Sequence, residues 1–244
     1  MTKSSSSAVI EFAGNPASGK STIARGLEDD LTATALPANN RTYSVTHQTE
    51  SDLTRYGIII KLALIALIRH PIQSTKILWL LCRTNQRSYV DLLKLSVYAL
   101  YLRTIYSRSS ATTEIEILDQ GLFQLLWSIL LTGSDCDRTV LYRLLDQFPS
   151  PTTHIVVFVE TDGTKVVSRL QQRNTNESRL EEIARDRDTN AAEICDEVAG
   201  KVARIIETFS RRDCSICTLT IDTEDATVDE AIQAVSEEVT RYQR

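Results

Sequence analysis

Gly14-Asn15-Pro16-Ala17-Ser18-Gly19-Lys20-Ser21-Thr22 decides how the rest of this 244-residue chain is read. It fits G-x-x-x-x-G-K-[ST] without a mismatch, between an apolar run at 8–13 (AVIEFA) and a helical pattern at 20–31. Gly14 and Gly19 allow backbone conformations that most side chains forbid, so successive N–H groups can converge on one anion. The following helix aims its N-terminal dipole at the same point. Lys20 supplies a positive charge for β- and γ-phosphates, and the Ser21 hydroxyl can ligate Mg²⁺. Residues 14–22 are therefore expected to cradle the phosphates of ATP.

Working outward, β-rich runs recur at 42–47 (TYSVTH), 114–118 (EIEIL), 154–160 (HIVVFVE) and 215–221 (SICTLTI). HIVVFVE is almost continuously apolar, as a strand buried on both faces should be. Helical spacing fills the intervals, at 121–131, 165–172, 179–210 and 227–242. Alternating strands and helices predict an α/β fold with a parallel sheet covered on both faces. The interval between the second and third strands is longer than one crossover helix needs. Its apolar runs predict at least two helices, an insertion over 49–110 within a single domain spanning 1–244.

Two further elements carry chemistry. Asp119, after the third strand, is the candidate carboxylate for Mg²⁺ or for activating the substrate. Gly121 would then let the backbone approach the ligands. After the fourth strand, Arg169, Arg173 and Arg179 punctuate a helix end and a polar loop, and Arg169 and Arg173 share a helix face. Phosphoryl transfer relies on positioning and charge neutralisation, which arginines closing over phosphates provide.

Together these segments resemble the nucleoside monophosphate kinase group of P-loop proteins, and most of all thymidylate kinase-like small-molecule kinases. The resemblance implies a three-layer fold with a five-stranded parallel sheet in the order 2-3-1-4-5. It also implies a helical acceptor-binding region after the second strand, an arginine-bearing lid near 169–190, and adenine near 222–225. Carried over residue by residue, Lys20 and Ser21 match the loop, Asp119 the post-strand acid, and Arg173 and Arg179 the lid. Thymidylate kinases usually place Arg after that Asp, where this chain has Gln120, and their loop often carries an acid that is lacking here.

Charge is distributed unevenly. Residues 41–108 hold ten basic residues against Glu50, Asp52 and Asp91, a net of +7, which leaves −12 elsewhere in a chain of net charge −5. A basic concavity concentrates anionic substrates. Arg83 and Arg87, four apart, are candidates for an acceptor phosphate, with Arg55 and Arg103 as helpers; the alternative is long basic side chains lying around an apolar core. The apolar residues at 58–68 and 77–81 read first as subdomain core, and alternatively as a pocket for an amphipathic acceptor or a face resting on a membrane.

Composition narrows the classes. The acidic balance argues against a general nucleic-acid binder. Five scattered cysteines fit free thiols in a reducing cytoplasm rather than a disulfide framework. Cys214 and Cys217 lack a second pair to complete a zinc site, and His47, His70 and His154 show no ligand spacing. The longest apolar run is too short to span a bilayer, and no signal-peptide pattern stands at the start. The expectation is a cytoplasmic ATP- and Mg²⁺-dependent phosphotransferase acting on a small anionic acceptor, a nucleoside monophosphate such as dTMP, with a homodimer left open. The competing expectation is a P-loop ATPase or nucleotide-dependent regulator acting on a protein partner.

Overall fold

In the computed structural model of the chain, which describes residues 8–33, 38–40, 52–110, 115–172, 180–181, 183, 190–213 and 215–242, β1 (Ala8–Gly14) is buried at every position. A strand so enclosed needs neighbours on both edges and cover on both faces. Its edges pair in parallel with β3 (Ile115–Leu118) and β4 (Thr153–Glu160). β5 (Ile216–Asp222) lies beyond β4, and β2 (Ala38–Asn40) lies beyond β3, giving the order β2-β3-β1-β4-β5. Four strands carry most of the ladder, and β2 adds only three residues. The run at 42–47, expected to be the second strand, lies outside the described residues; the described residues that pair with β3 here are Ala38–Asn40.

Alternation along β1 divides the core in two. Ile10 and Phe12 face α1 (Lys20–Ala33) and α9 (Val228–Tyr242), packing with Leu27 and Val235. Val9 and Ala13 face the other layer, which contains Phe123 and Leu126 of α5 (Leu122–Thr132) and Val202 of α8 (Ala191–Ser210). Each such fully buried side chain contributes roughly 1.5–3 kcal/mol. α9 starts at a capping box: Glu230 accepts the Thr227 N–H at 2.8 Å, and Thr227 Oγ1 accepts the Glu230 N–H at 3.3 Å. Of the helical stretch expected at 179–210, residues 191–210 form α8 and 180, 181 and 183 are helical; the other residues between 179 and 189 lie outside the described residues.

The insertion consists of α2 (Asp52–Arg69), α3 (Pro71–Cys82) and α4 (Tyr89–Ser109). Pro71 stands in the first turn of α3, where its missing N–H costs nothing, and the chain bends there by 117°. Leu62, Ala63 and Ala66 of α2 and Ile77, Leu80 and Leu81 of α3 are buried. Thr104 Oγ1 of α4 donates to the Leu62 carbonyl at 2.8 Å, fixing α4 against α2. A short helix that the sequence pattern did not announce, α6 (Arg138–Leu145), starts at Asp137, whose carboxylate accepts the Thr139 N–H at 2.8 Å. No single helix among the described residues is long and apolar enough to cross a membrane.

Candidate functional site

The loop leaving β1 has the backbone its sequence demands. Gly14 has φ +138°, and a Cβ there would stand 2.3 Å from the Val159 carbonyl oxygen of β4, so only glycine lets the two strands stay in register. Gly19 (φ 97°) and Ala17 (φ 61°) are also left-handed, which curls the loop around a single point. Lys20, 7% exposed, folds back over the loop. Its ammonium donates to the carbonyls of Gly14 at 3.1 Å and Asn15 at 2.5 Å, and to Ser18 Oγ at 3.3 Å. A buried cation held by carbonyl dipoles and a hydroxyl is placed to exchange those contacts for phosphate oxygens.

Two side chains from other elements brace the loop. The Trp127 indole of α5 donates to Asn15 Oδ1 at 3.1 Å. Arg169 of α7 (Gly163–Gln172) donates from Nη1 to the Ala17 carbonyl at 3.0 Å, which brings one arginine of the expected lid to the loop's rim. Arg173 and Arg179 lie outside the described residues, as does most of the expected lid over 169–190. Near the turn after β5, Thr161 after β4 and Thr223 after β5 join through their hydroxyls at 2.7 Å, and the Thr223 N–H donates to the Glu160 carbonyl at 3.1 Å. These bonds tie down the turn that follows the last strand.

Asp119 follows β3 directly and is 1% exposed. The register sets Leu118 beside Glu11, so Asp119 comes level with Phe12, two residues short of Gly14. An oxygen donor set of Ser21 hydroxyl and Asp119 carboxylate suits a hard cation such as Mg²⁺ better than a soft one. No cluster of three His, Cys, Asp or Glu able to hold a metal by itself occurs among the described residues.

Around Asp119 the structure gathers Arg55 of α2 with Tyr98 and Tyr101 of α4. The two tyrosines stack with ring centres 5.7 Å apart, and Tyr98 Oη donates to the Gln120 carbonyl at 2.6 Å. The Tyr98 phenol is held well above its ordinary pKa by burial first, then by Tyr101 and the charges of Asp119 and Glu11, with Arg55 opposing. Gln124, in the first turn of α5, is buried, and its Oε1 has no partner among the described residues.

The other basic candidates lie elsewhere. α3 ends at Cys82, with Arg83 as its C-cap and Asn85 at φ +49°, so Arg83 and Arg87 do not share a helix face. The Arg87 N–H donates to the Thr132 carbonyl at 3.2 Å, at the C-terminal end of α5, whereas Asp119 stands before its N-terminus. Eleven residues of helix, about 16 Å, separate those ends. Arg103 is buried with Nε and Nη1 lacking partners among the described residues; its charge acts on His70, whose pKa is lowered by burial, then by Arg103 and Arg69. It therefore belongs to the α2–α3 bend.

Glu11 escaped the sequence reading. Its fully buried carboxylate accepts the Tyr106 hydroxyl at 2.5 Å and the Phe123 N–H, and lies 3.3 Å from His154 Nε2. Burial and then Glu11 hold the Tyr106 phenol well above its usual pKa. Glu11 thus caps α5 from the face of β1 on which that helix packs. This also corrects the reading of Gly121: a Cβ there would meet the Glu11 carboxylate carbon at 2.4 Å, so the close approach is to a core acid rather than to a ligand. Of the described cysteines, burial lifts Cys136 to about 11 and Cys195 to about 12, which leaves both as thiols. Cys217 donates to Glu238 at 3.2 Å, and Cys214 lies outside the described residues.

No family model matches the sequence, and no curated protein does. Solved structures do match. The thymidylate kinase of Candida albicans superposes with a TM-score of 0.53 at 13% identity, covering 97% of this chain and 92% of the other. The fold is that of the thymidylate kinase-like P-loop kinases. Two further matches have lower scores. YorR of Bacillus subtilis, solved in complex with phosphorylated GDP, gives 0.48 at 14% identity over 95% of both chains. The thymidylate kinase of Ehrlichia chaffeensis gives 0.48 at 12% identity over 96% of this chain and 99% of the other. Within this kinase fold, the loop at 14–22 and Asp119 stand at the C-terminal ends of adjacent parallel strands, where ligands of open α/β sheets collect.

Proposed function

We propose that the chain is an ATP-dependent phosphotransferase that moves the γ-phosphoryl group to a small anionic acceptor, a nucleoside monophosphate such as dTMP. The observation that carries this reading is Lys20: a buried ammonium held over a left-handed loop by the Gly14 and Asn15 carbonyls, the loop following β1, the strand adjacent to the one that leads into Asp119. The residues fit the ligands implied. Lys20 and the loop amides would take the β- and γ-phosphates, and Ser21 and Asp119 would hold Mg²⁺, which when bound neutralises phosphate charge. Arg169, already on the loop, and Arg173 and Arg179, which follow it in sequence, would meet the charge that develops during transfer.

The acceptor would enter between α2, α4 and the end of β3. There Arg55 offers a cation, Tyr98 and Tyr101 offer stacked rings, and Gln124 offers a buried amide oxygen without a partner among the described residues. An acceptor oxygen then attacks the γ-phosphorus in line, the bond to the β–γ bridging oxygen breaks, and ADP leaves. Closure of the site would keep water from taking the acceptor's place.

Incubating the purified chain with γ-labelled ATP, Mg²⁺ and a panel of nucleoside monophosphates, sugars and lipid-like alcohols tests this. Label transferred to a monophosphate supports the reading. Release of inorganic phosphate only, and only when a protein partner is added, would favour an ATPase or nucleotide-dependent regulator instead.

A further inference from the structure

The insertion keeps a large part of its apolar surface in solvent, and that surface has a pattern. On α2, Ile60, Leu64 and Ile68 follow at intervals of four and form an outward stripe, opposite the buried Leu62, Ala63 and Ala66. Beyond the bend, Ile72 and Trp79 continue outward from α3, opposite the buried Ile77, Leu80 and Leu81. Ile68, Ile72 and Trp79 are 79%, 67% and 53% exposed. Contiguous exposure on this scale marks an interaction surface.

The charges around the stripe define its partner. Lys61, Arg69, Lys76 and Lys94 are all exposed, and between residues 54 and 94 the only acid is Asp91, which is buried. The remainder of the chain is strongly acidic, so the molecule is electrically polar, with this face positive. A second copy presenting the same face would set like charges together. A surface with acyl chains below and anionic headgroups above satisfies both halves of the pattern. Neither α2 nor α3 is by itself long and apolar enough to cross such a bilayer. They are bent by 117°, and their inner sides are locked into the core against α4. They can lie in its interface.

We infer that the outer face of α2 and α3 docks the protein peripherally on anionic phospholipid membranes, with Ile68 and Ile72 at the bend inserted and Lys61, Arg69 and Lys76 at the headgroups. The inference is independent of the phosphotransferase reading, because none of these side chains belongs to the loop or to the Asp119 cluster.

Flotation of the full chain with vesicles of phosphatidylcholine alone, or of phosphatidylcholine with about 40% phosphatidylglycerol, decides it. The expected result is flotation with the anionic vesicles only, weakening as salt is raised. Ile68→Gln with Ile72→Gln should lower partitioning about tenfold or more, and Arg69→Gln or Lys76→Gln about fivefold each. Trp79 supplies an internal probe: a blue shift on anionic vesicles that Trp79→Phe removes supports insertion. Absence of flotation with anionic vesicles at low salt would overturn the proposal. So would equal flotation with both lipids, flotation indifferent to the Ile68/Ile72 pair, or a dimer in solution that this pair abolishes. Unchanged ATP binding and thermal stability in the variants separate lost docking from lost folding.

Discussion

In β1 and β3 every residue is buried, Glu11 and Glu116 included, while the helical insertion leaves Ile60, Leu64, Ile68, Ile72 and Trp79 in solvent. The sheet half therefore encloses charge, and the insertion exposes oil. Enclosing Glu11 requires that every lone pair find a donor, and Tyr106, Phe123 and His154 are arranged around it. Exposing Ile68 requires nothing of the fold. The same difference separates the two ends of the site. The loop at 14–22 is held by bonds from three elements, whereas the region beside Asp119 is lined by the stacked rings of Tyr98 and Tyr101.

Substitutions can break or sharpen this contrast. Lys20→Ala should have the largest effect, lowering phosphoryl transfer by about 10³-fold or more with little change in folding, as read by steady-state kinetics and thermal melts; full turnover in that variant would sink the loop assignment. Glu11→Ala removes the carboxylate that accepts the buried Tyr106 phenol and the Phe123 N–H in the first turn of α5. It should cost about 3 kcal/mol in denaturant unfolding, and an unchanged midpoint would mean the carboxylate is not structural.

Gly121→Ala should cost about 2 kcal/mol through its clash with Glu11. The double variant with Glu11→Ala should lose less than the sum, and strict additivity would show that the two residues do not touch. Arg169→Ala should lower turnover about tenfold, more than it weakens ATP binding, because a rim arginine acts as charge develops. At the small end, Leu64→Ala or Ile60→Ala on the insertion should shift stability by about 0.5 kcal/mol or less. A loss of several kcal/mol there would show that this face is covered after all.

How much of this was legible beforehand depended on how local the determining physics was. β1, its loop and β4 were readable because continuous apolar runs and the glycine spacing are local signals. β2 was not, because three residues, Ala38, Asn39 and Asn40, carry no strand pattern of their own. Arg83 and Arg87 read as one helical turn only if α3 continues; the C-cap at Arg83 and the left-handed Asn85 stop it. Glu11 sits where an alternating strand would point a side chain to solvent. The available signal was an acid in a central strand otherwise apolar, which calls for buried donors, but their positions 95, 112 and 143 residues away are a property of the fold alone.

The bond from the Trp127 indole to Asn15 has a use beyond holding the loop in place. Trp127 is the chain's one tryptophan besides Trp79, and it is nearly sealed from water. A molecule seated among the loop amides must change the polarity and hydrogen bonding that this ring senses. With Trp79 replaced by Phe, its glow becomes an optical gauge of whether the loop is empty or full, needing no label and no second ligand.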